Sequence, residues 1–207
     1  MNSASGYSTP FSSDPAKVEA RARARATRAA AFAAAPDAGA KMRERFLSEL
    51  LPVLALPECA VFSGYIPVRQ ELDVLPLAHA LAERGLTGSL PCVEDAGKPL
   101  LFRRWQADGP LVAAGFGLSE PPADAPAIEP DLLLVPLLAF DRRGHRLGYG
   151  RGFYDRTLAA LRARRAIVAV GLAFAAQEML SVPTGSDDQR LDWIVTERDV
   201  IQPNGVV

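Results

Sequence analysis

An apolar run at residues 131–140, DLLLVPLLAF, sets the tightest limit on the fold of this chain. The run is continuously apolar instead of alternating, which is typical of a strand covered on both faces, as in a parallel sheet. A glycine-rich segment follows, and then a pattern with Tyr154, Leu158 and Leu161 on one helical face. A buried strand, a glycine loop and a helix in this order predict an α/β fold.

The rest of the chain alternates between helical and strand patterns. Helices are predicted at residues 40–54, 72–84 and 152–165. Strands are predicted in the segments CAVFSGYIPV, LTGSLPCV, LLFRRW, AIVAVGLAF and LDWIVTE. The alternation predicts an α/β fold with a layered, mostly parallel sheet and helices on both faces, in a single domain over residues 15–207.

The N-terminal segment allows two interpretations. Residues 1–14 are Ser-rich and are expected to form a disordered tail. Asp14 fits an N-cap and Pro15 the first helical position, so a helix is predicted from there to about Ala35, with Pro36 ending it. The Ala/Arg-rich run in this helix also resembles an organelle transit peptide, although it contains Glu19 and has no apolar core for secretion. A solvated first helix and a targeting role both stay open.

Composition excludes several classes of protein. The net charge of −1 over 207 residues provides no global field for nucleic acid or an anionic membrane, so a polyanion would need a local cluster of cations. No apolar run approaches the roughly 20 residues that span a bilayer. Cys59 and Cys92 lie far apart in apolar runs and are expected to be buried free thiols in a reducing compartment. We therefore expect a soluble cytoplasmic protein with a nucleotide-sized partner. A monomer is also expected, although composition does not determine the oligomeric state.

The segment DRRGHRLGYGRGFYDR, at residues 141–156, carries the chemical signal, with glycines at 144, 148, 150 and 152. Glycine permits backbone angles at which successive N–H groups turn inward, and a following helix adds positive potential, so phosphate is the expected guest. Arg146 and Arg151 flank the glycines and can bind phosphate oxygens in a bidentate manner. The dinucleotide and P-loop patterns both fail, since Phe153 replaces a glycine and Gly-Lys-Ser/Thr is absent. A tight turn with solvated arginines is the alternative.

The segment DLLLVPLLAFDRRGHRLGYGRGFYDRTL closely resembles the signature of the 5-formyltetrahydrofolate cyclo-ligase family. The likeness covers roughly residues 17–197. Lys17 and Arg21 resemble the family's nucleotide-contacting Lys-x-x-x-Arg, and SGYIPVRQELD is similar to its folate-site segment. SDDQRLDWIVTE resembles the run before the family's last strand, except that Asp187 replaces a frequent His and puts any imidazole role there in doubt.

The resemblance implies an ATP- and Mg²⁺-dependent enzyme that converts 5-formyltetrahydrofolate to 5,10-methenyltetrahydrofolate with release of ADP and phosphate. It implies that Arg146, Arg151 and Tyr154 carry the chemistry and that Asp155 and Asp188 hold Mg²⁺, largely through waters. The implied ATP contacts are Lys17, Arg21, Arg146, Leu147, Gly148, Tyr149, Gly150, Arg151, Gly152, Phe153 and Tyr154. The implied folate contacts are Ile66, Glu71, Tyr149, Gly150, Arg151, Gly152 and Phe153.

Several of these residues also have a structural interpretation. Asp155 is a first-turn helix acid, Glu71 an ordinary acid before a helix, and Tyr154 a core aromatic in step with Leu158. Further candidates are Arg25 for the nucleotide, Trp105 as an exposed lid and His145 for phosphate. A non-catalytic nucleotide- or folate-binding protein and a different α/β enzyme acting on a phosphorylated metabolite are the competing functions.

Overall fold

The computed structural model describes residues 14–203. Asp14 caps the first helix, its Oδ1 accepting the Ala16 N–H at 2.9 Å. The predicted tail, apart from Asp14, lies outside the described residues.

The second helix continues beyond its regular part through a π-helical turn at Phe46–Leu50 and a 3₁₀ turn at Leu51–Val53. In chain order the elements are α1 Pro15–Ala34, α2 Ala38–Arg45, β1 Val61–Ser63, α3 Leu75–Glu83, β2 Thr87–Cys92, β3 Leu101–Arg104, β4 Val112–Ala113, β5 Ser119–Glu120, β6 Leu132–Pro136, β7 Ala139–Phe140, β8 Arg146–Leu147, α4 Phe153–Arg162, β9 Val168–Leu172, β10 Trp193–Val195 and β11 Val200–Ile201.

Within these residues, seven strands form one sheet in the order β11-β10-β9-β6-β1-β2-β3. The pairs β1–β2, β1–β6, β6–β9 and β9–β10 are parallel. The two edge strands, β3 and β11, are antiparallel to their neighbours. The predicted mostly parallel sheet is confirmed, and the short strand β11 is an element that the sequence patterns did not indicate.

Helices cover both faces of the sheet, as predicted. Leu132 and Leu134 of β6 point into a core that also holds buried residues of α2 and α3. Leu133 and Val135 of the same strand point into the opposite core, where Leu158 of α4 lies. This alternation explains why the run at 131–140 is apolar at every position, since both faces of β6 are buried. None of the helices in residues 14–203 combines the length and apolar character needed to cross a membrane.

The apolar run does not form one continuous strand. It divides into β6 and β7, and β7 leaves the main sheet to pair with β8 as a separate ribbon. Between them, the carbonyl oxygens of Leu137 and Leu138 accept hydrogen bonds from Gln177 Nε2, each at 2.9 Å. Because a side chain satisfies these two carbonyls, the chain can leave the sheet there without stranding polar groups.

Two predictions about solvent exposure are wrong, because Trp105 was expected to be exposed and Cys59 was expected to be buried. Trp105 is buried in the core below α3, with its indole edge against Phe62 at a centroid distance of 6.4 Å. It fills space above Gly88, where an added Cβ would approach Trp105 at 2.7 Å, so Trp105 is not an exposed lid. Cys59 is exposed, whereas Cys92 is buried, and both are free thiols.

The strand order creates a topological switch point between β1 and β6. From β1 the chain passes through α3 to β2 on one side, and from β6 it passes through α4 to β9 on the other. The segments that follow β1 and β6 therefore diverge at the carboxyl edge of the sheet, which is where ligands bind in open α/β sheets. Glu71 follows β1, and the ribbon β7–β8 with its glycine loop follows β6.

Candidate functional site

The loop at residues 148–152 connects β8 to α4 and is half-buried along its length. Helix α1 packs against the ribbon beneath it through Ala20 and Ala24, which contact a small core containing Leu138 and Leu147. Small residues on that helix face permit a close approach. The first helix is thereby brought alongside the glycine loop, although more than a hundred residues separate them in the chain.

Arg21 of α1 forms a hydrogen bond with the backbone of this loop. Its Nε donates to the Gly148 carbonyl oxygen at 3.0 Å, and the residue is 7% exposed. Gly150 adopts a left-handed φ of +98°, and a Cβ there would lie 3.1 Å from the Arg21 guanidinium carbon. At Gly148 an added Cβ would meet nothing within 4 Å, so this position faces open space.

Two cation–carboxylate pairs lie beside the loop. Lys17 Nζ contacts Asp188 Oδ2 at 2.5 Å, and Arg146 Nη2 contacts Asp155 Oδ1 at 2.6 Å. The Arg146 side chain is 4% exposed, and burial lowers its pKa against the opposing effect of Asp155, yet a guanidinium keeps its charge at neutral pH. Arg146 also donates to the Gln189 carbonyl oxygen, so it joins α4 to the segment carrying Asp188.

The two carboxylates suit a hydrated magnesium ion. Mg²⁺ prefers oxygen ligands, keeps several waters and is held by one or two carboxylates together with substrate phosphates. Asp155 and Asp188 have side chains 25% and 26% exposed, which leaves a hydrated ion access to both. Residues 14–203 contain no cluster of three or more His, Cys, Asp or Glu side chains placed to hold a metal.

A second cluster joins Glu71 to the same loop. The Tyr149 hydroxyl donates to Glu71 Oε1 and accepts from Arg28 Nη1 of α1. Arg28 Nη1 also lies 3.6 Å from Glu71 Oε1, and the two side chains are 5% and 4% exposed. Glu71 Oε2 accepts the Val68 N–H at 3.0 Å, which folds the segment after β1 around the carboxylate.

Tyr154 borders both clusters. Its hydroxyl is fully buried and has no hydrogen-bond partner among the described residues. Burial, followed by the charge of Glu71, raises the pKa of Tyr154, while Arg146 opposes the shift. The hydroxyl therefore keeps its proton at neutral pH and can donate it to a ligand. The ring packs against the core that contains Leu158, as predicted. Tyr154 therefore has a packing role and also carries an unsatisfied hydroxyl.

The first part of the predicted glycine cradle is structural. Gly144 turns the β7–β8 hairpin with a φ of +86°, and a Cβ there would lie 2.8 Å from the Leu191 carbonyl oxygen and 3.0 Å from Pro203. His145 contacts the carboxylate of Asp141 through Nδ1 at 3.2 Å, on the hairpin. Of the four glycines of the predicted cradle, Gly148 is the one with open space beside it, since Gly150 lies against Arg21 and Gly152 against Arg156.

Burial acts to raise the pKa of Asp141, but hydrogen bonds from Val182 N–H, Arg143 and His145 outweigh it and lower the pKa overall. Asp141 is thus a buried, ionised anchor that fixes the hairpin to the segment at Val182.

The structure brings most of the predicted residues together and separates a few. Leu147 is buried in β8, Ile66 is half-buried against the core below α3, and Phe153 begins α4 beneath the Arg156 guanidinium at 5.3 Å from its ring centre. Arg25 lies on the exposed side of α1, and Trp105 belongs to the core. Sequence reasoning missed Arg28, although its spacing from Lys17 and Arg21 places all three on one helix face.

Cationic side chains outnumber carboxylates around the loop. The cations are Lys17, Arg21, Arg28, Arg146, Arg151 and Arg156, and the carboxylates are Glu71, Asp155 and Asp188. In a chain of net charge −1, this local surplus supplies the positive potential that a polyphosphate needs.

Comparison with known sequences assigns the chain to a protein family. The sequence model of the 5-formyltetrahydrofolate cyclo-ligase family matches residues 14–197. The chain belongs to this family. A 5-formyltetrahydrofolate cyclo-ligase of Mycolicibacterium smegmatis is 46% identical over 115 residues, which cover 52% of this chain and 59% of the relative. One of Haemophilus influenzae is 43% identical over 89 residues, covering 41% of this chain and 47% of the relative. The matched segments thus span less than two thirds of these relatives.

Solved structures agree with the family assignment. The NMR structure of Aquifex aeolicus 5,10-methenyltetrahydrofolate synthetase is similar with a TM-score of 0.71 and 26% identity, over 92% of this chain and 94% of the other. The Mycoplasma pneumoniae 5,10-methenyltetrahydrofolate synthetase has a TM-score of 0.69 at 21% identity, over 88% of this chain and 99% of the other, which supports the fold. The single mixed sheet is therefore the fold of this ligase family.

Proposed function

We propose that this protein is a 5-formyltetrahydrofolate cyclo-ligase that uses ATP and Mg²⁺ to form 5,10-methenyltetrahydrofolate, ADP and phosphate. The observation that carries the proposal is the meeting of four distant segments at the switch point. Lys17 and Arg21 come from α1, Glu71 from the segment after β1, the loop 148–152 with Asp155 from the segment after β6, and Asp188 from the segment after β9. Cations, carboxylates and a partly open glycine loop together suit phosphoryl transfer beside a folate.

The chemistry requires activation of an amide-like formyl oxygen, which is a poor leaving group. The formyl oxygen attacks the γ-phosphorus of ATP and ADP leaves, which turns the oxygen into a phosphate ester. The N10 nitrogen then attacks the formyl carbon, and phosphate and the N10 proton depart to leave the methenyl bridge. Enzymes accelerate phosphoryl transfer mainly by positioning the reactants and stabilising charge.

Each residue has a defined part in this proposal. Lys17, Arg21 and Arg151 bind phosphate oxygens, together with the N–H groups of residues 148–152. Arg146 adds positive charge while it fixes Asp155. Asp155 and Asp188 would hold Mg²⁺, which supplies charge neutralisation at the phosphates when bound.

Folate recognition is assigned to the neighbouring cluster. A pterin ring presents two adjacent N–H donors, which one carboxylate can accept as a pair, and Glu71 is the buried carboxylate at this position. Ile66, Tyr149 and Phe153 supply the adjoining apolar and aromatic surface. Tyr154 offers its unpaired hydroxyl between the folate and phosphate sides of the site.

We further propose a cytoplasmic monomer, and a reducing compartment suits its two free thiols.

The deciding experiment follows the product directly. Purified protein with 5-formyltetrahydrofolate, Mg²⁺ and ATP is expected to generate the methenyl absorbance, and omission of ATP is expected to abolish it. A protein that binds both ligands without any absorbance change would be a binding protein and would contradict the proposal.

A further inference from the structure

We propose that Arg28 is a positioning residue for folate, acting on Glu71 both directly and through the Tyr149 hydroxyl, an inference that rests on the proposed function. Arg28 stands apart from the predicted nucleotide contacts of α1, because its guanidinium faces the Glu71 carboxylate and the Tyr149 side chain, whereas Arg21 contacts the loop backbone at Gly148. It is 4% exposed as a residue, in a helix whose Arg23 and Arg25 are exposed.

The hydrogen-bond roles in this cluster follow from chemistry. A guanidinium has only donors, so Arg28 must donate to the Tyr149 oxygen. The single hydroxyl proton of Tyr149 is then directed to Glu71 Oε1. Burial, followed by the charge of Glu71, raises the pKa of Tyr149, which keeps that proton on the tyrosine. Arg28 thus sets the direction of both hydrogen bonds, from Arg28 to Tyr149 and from Tyr149 to Glu71, and the Glu71 carboxylate is the final acceptor.

Burial makes the charge of Arg28 necessary. An ionised carboxylate with a side chain 4% exposed is costly without a cation nearby, and Arg28 is the cation that the structure places at 3.6 Å. With the cation in place, the Glu71 carboxylate has a counter-charge in its buried position and can accept two donors from a ligand. Without it, the buried carboxylate is left uncompensated, and the cluster that holds it in place for the paired donors of a pterin is expected to rearrange.

A ligand could replace the Tyr149 hydroxyl as the hydrogen-bond donor to Glu71. Tyr149 lies between Gly148 and Gly150, and its hydroxyl occupies on Glu71 the place that a ligand N–H would take. Arg28 Nε is buried without a hydrogen-bond partner among the described residues, as is the Tyr154 hydroxyl. Two unsatisfied polar atoms beside one paired carboxylate indicate a cluster completed by a polar ligand.

The test measures folate and ATP affinity separately, by titration calorimetry on the full chain, with 5-formyltetrahydrofolate alone and with Mg²⁺-ATP alone. Arg28→Met is expected to weaken folate binding by about tenfold or more while ATP affinity stays within about twofold. Arg28→Lys restores the charge and is expected to recover part of the loss. Arg23→Met is the matched control, because Arg23 is an exposed arginine of the same helix paired only with Glu19 in the described structure.

Tyr149→Phe separates the cation from the hydroxyl. It retains the Arg28–Glu71 pair and is expected to change folate affinity less than Arg28→Met does. A larger effect of Tyr149→Phe would assign the positioning to the hydroxyl and overturn the proposal, and it remains measurable if Arg28→Met does not fold. Equal loss of folate and ATP affinity in Arg28→Lys, with a matching drop in melting temperature, would mean that Arg28 is only structural.

Failure of this inference is distinguishable from failure of the proposed function. Wild-type protein that neither binds nor converts 5-formyltetrahydrofolate would refute the proposed function itself. Wild-type protein that does both, with unchanged folate affinity in Arg28→Met, would refute the role of Arg28 alone.

Discussion

The glycines at 144 and 148 are predicted to respond in opposite ways to the same substitution. Gly144→Ala places a methyl group 2.8 Å from the Leu191 carbonyl oxygen and 3.0 Å from Pro203, at a φ of +86°. Gly148→Ala meets no atom within 4 Å and needs no left-handed backbone. The first change is therefore a test of packing, and the second is a test of whether a ligand uses the open space.

The magnitudes follow from these contacts. At Gly144, a left-handed alanine costs about 1–2 kcal/mol and the backbone clash adds about 1–3 kcal/mol. A total loss of about 2–5 kcal/mol of unfolding free energy lowers the melting temperature by roughly 4–20 °C in a domain of this size. At Gly148, alanine lowers the entropy of the unfolded chain and is expected to leave stability unchanged or raise it by up to about 1 kcal/mol.

Ligand binding is expected to show the reverse order. A methyl group intruding into a close contact costs about 1–3 kcal/mol. That cost corresponds to a roughly 5- to 150-fold loss of Mg²⁺-ATP affinity in Gly148→Ala. Folded Gly144→Ala is expected to bind Mg²⁺-ATP within about twofold of wild type. Thermal unfolding by circular dichroism and ATP titration calorimetry measure the two effects independently. Unchanged ATP affinity in Gly148→Ala would show that no ligand approaches the loop at that point.

Three further variants test other contacts. Arg151→Ala is expected to weaken ATP use far more than stability, and an equal loss in melting temperature and ATP titrations would make Arg151 structural. Asp188→Asn is expected to raise the Mg²⁺ concentration for half-maximal ATP binding by roughly tenfold, as for loss of one charged contact, whereas exposed Asp187→Asn is the control. Asp141→Asn is expected to lower the free energy of unfolding by about 1–3 kcal/mol at neutral pH. Because the folded-state pKa of Asp141 is lowered, its contribution is present above the unfolded pKa and is lost as pH falls through the folded pKa, so denaturant titrations of Asp141→Asn and wild type should converge in acid. A pH-independent difference would contradict this reasoning.

Sequence patterns predicted the layers of this fold because burial on both faces leaves a direct mark on residues such as Leu132 and Leu133. They could not show where a strand leaves its sheet. The division after Pro136 depends on Gln177, a side chain some 40 residues further along that satisfies the freed carbonyls. Trp105 was misplaced for a similar reason, since its burial depends on the space above Gly88 in a neighbouring strand.

The candidate site shows the same division between local and distant information. The glycine loop and its flanking residues are contiguous, so their pattern is legible in one segment. Spacing alone does not separate the arginines of α1, because Arg25 lies four residues from Arg21 and Arg28 lies seven, so both fall near the same helix face. They differ in which of them lies on the side that meets the rest of the protein. That side is set by Ala20 and Ala24 against Leu138 and Leu147, a contact that no local pattern records.

The pair Lys17–Asp188 joins the first helix to the segment after β9 across 171 positions of the chain and completes one side of the candidate site. A nascent protein therefore cannot assemble this centre until Asp188 has left the ribosome, whatever helices and strands have formed by then. Long-range closure of this kind is slow relative to local structure. The proposed capacity to bind a triphosphate should thus be among the last properties acquired in refolding, appearing together with the final sheet strands.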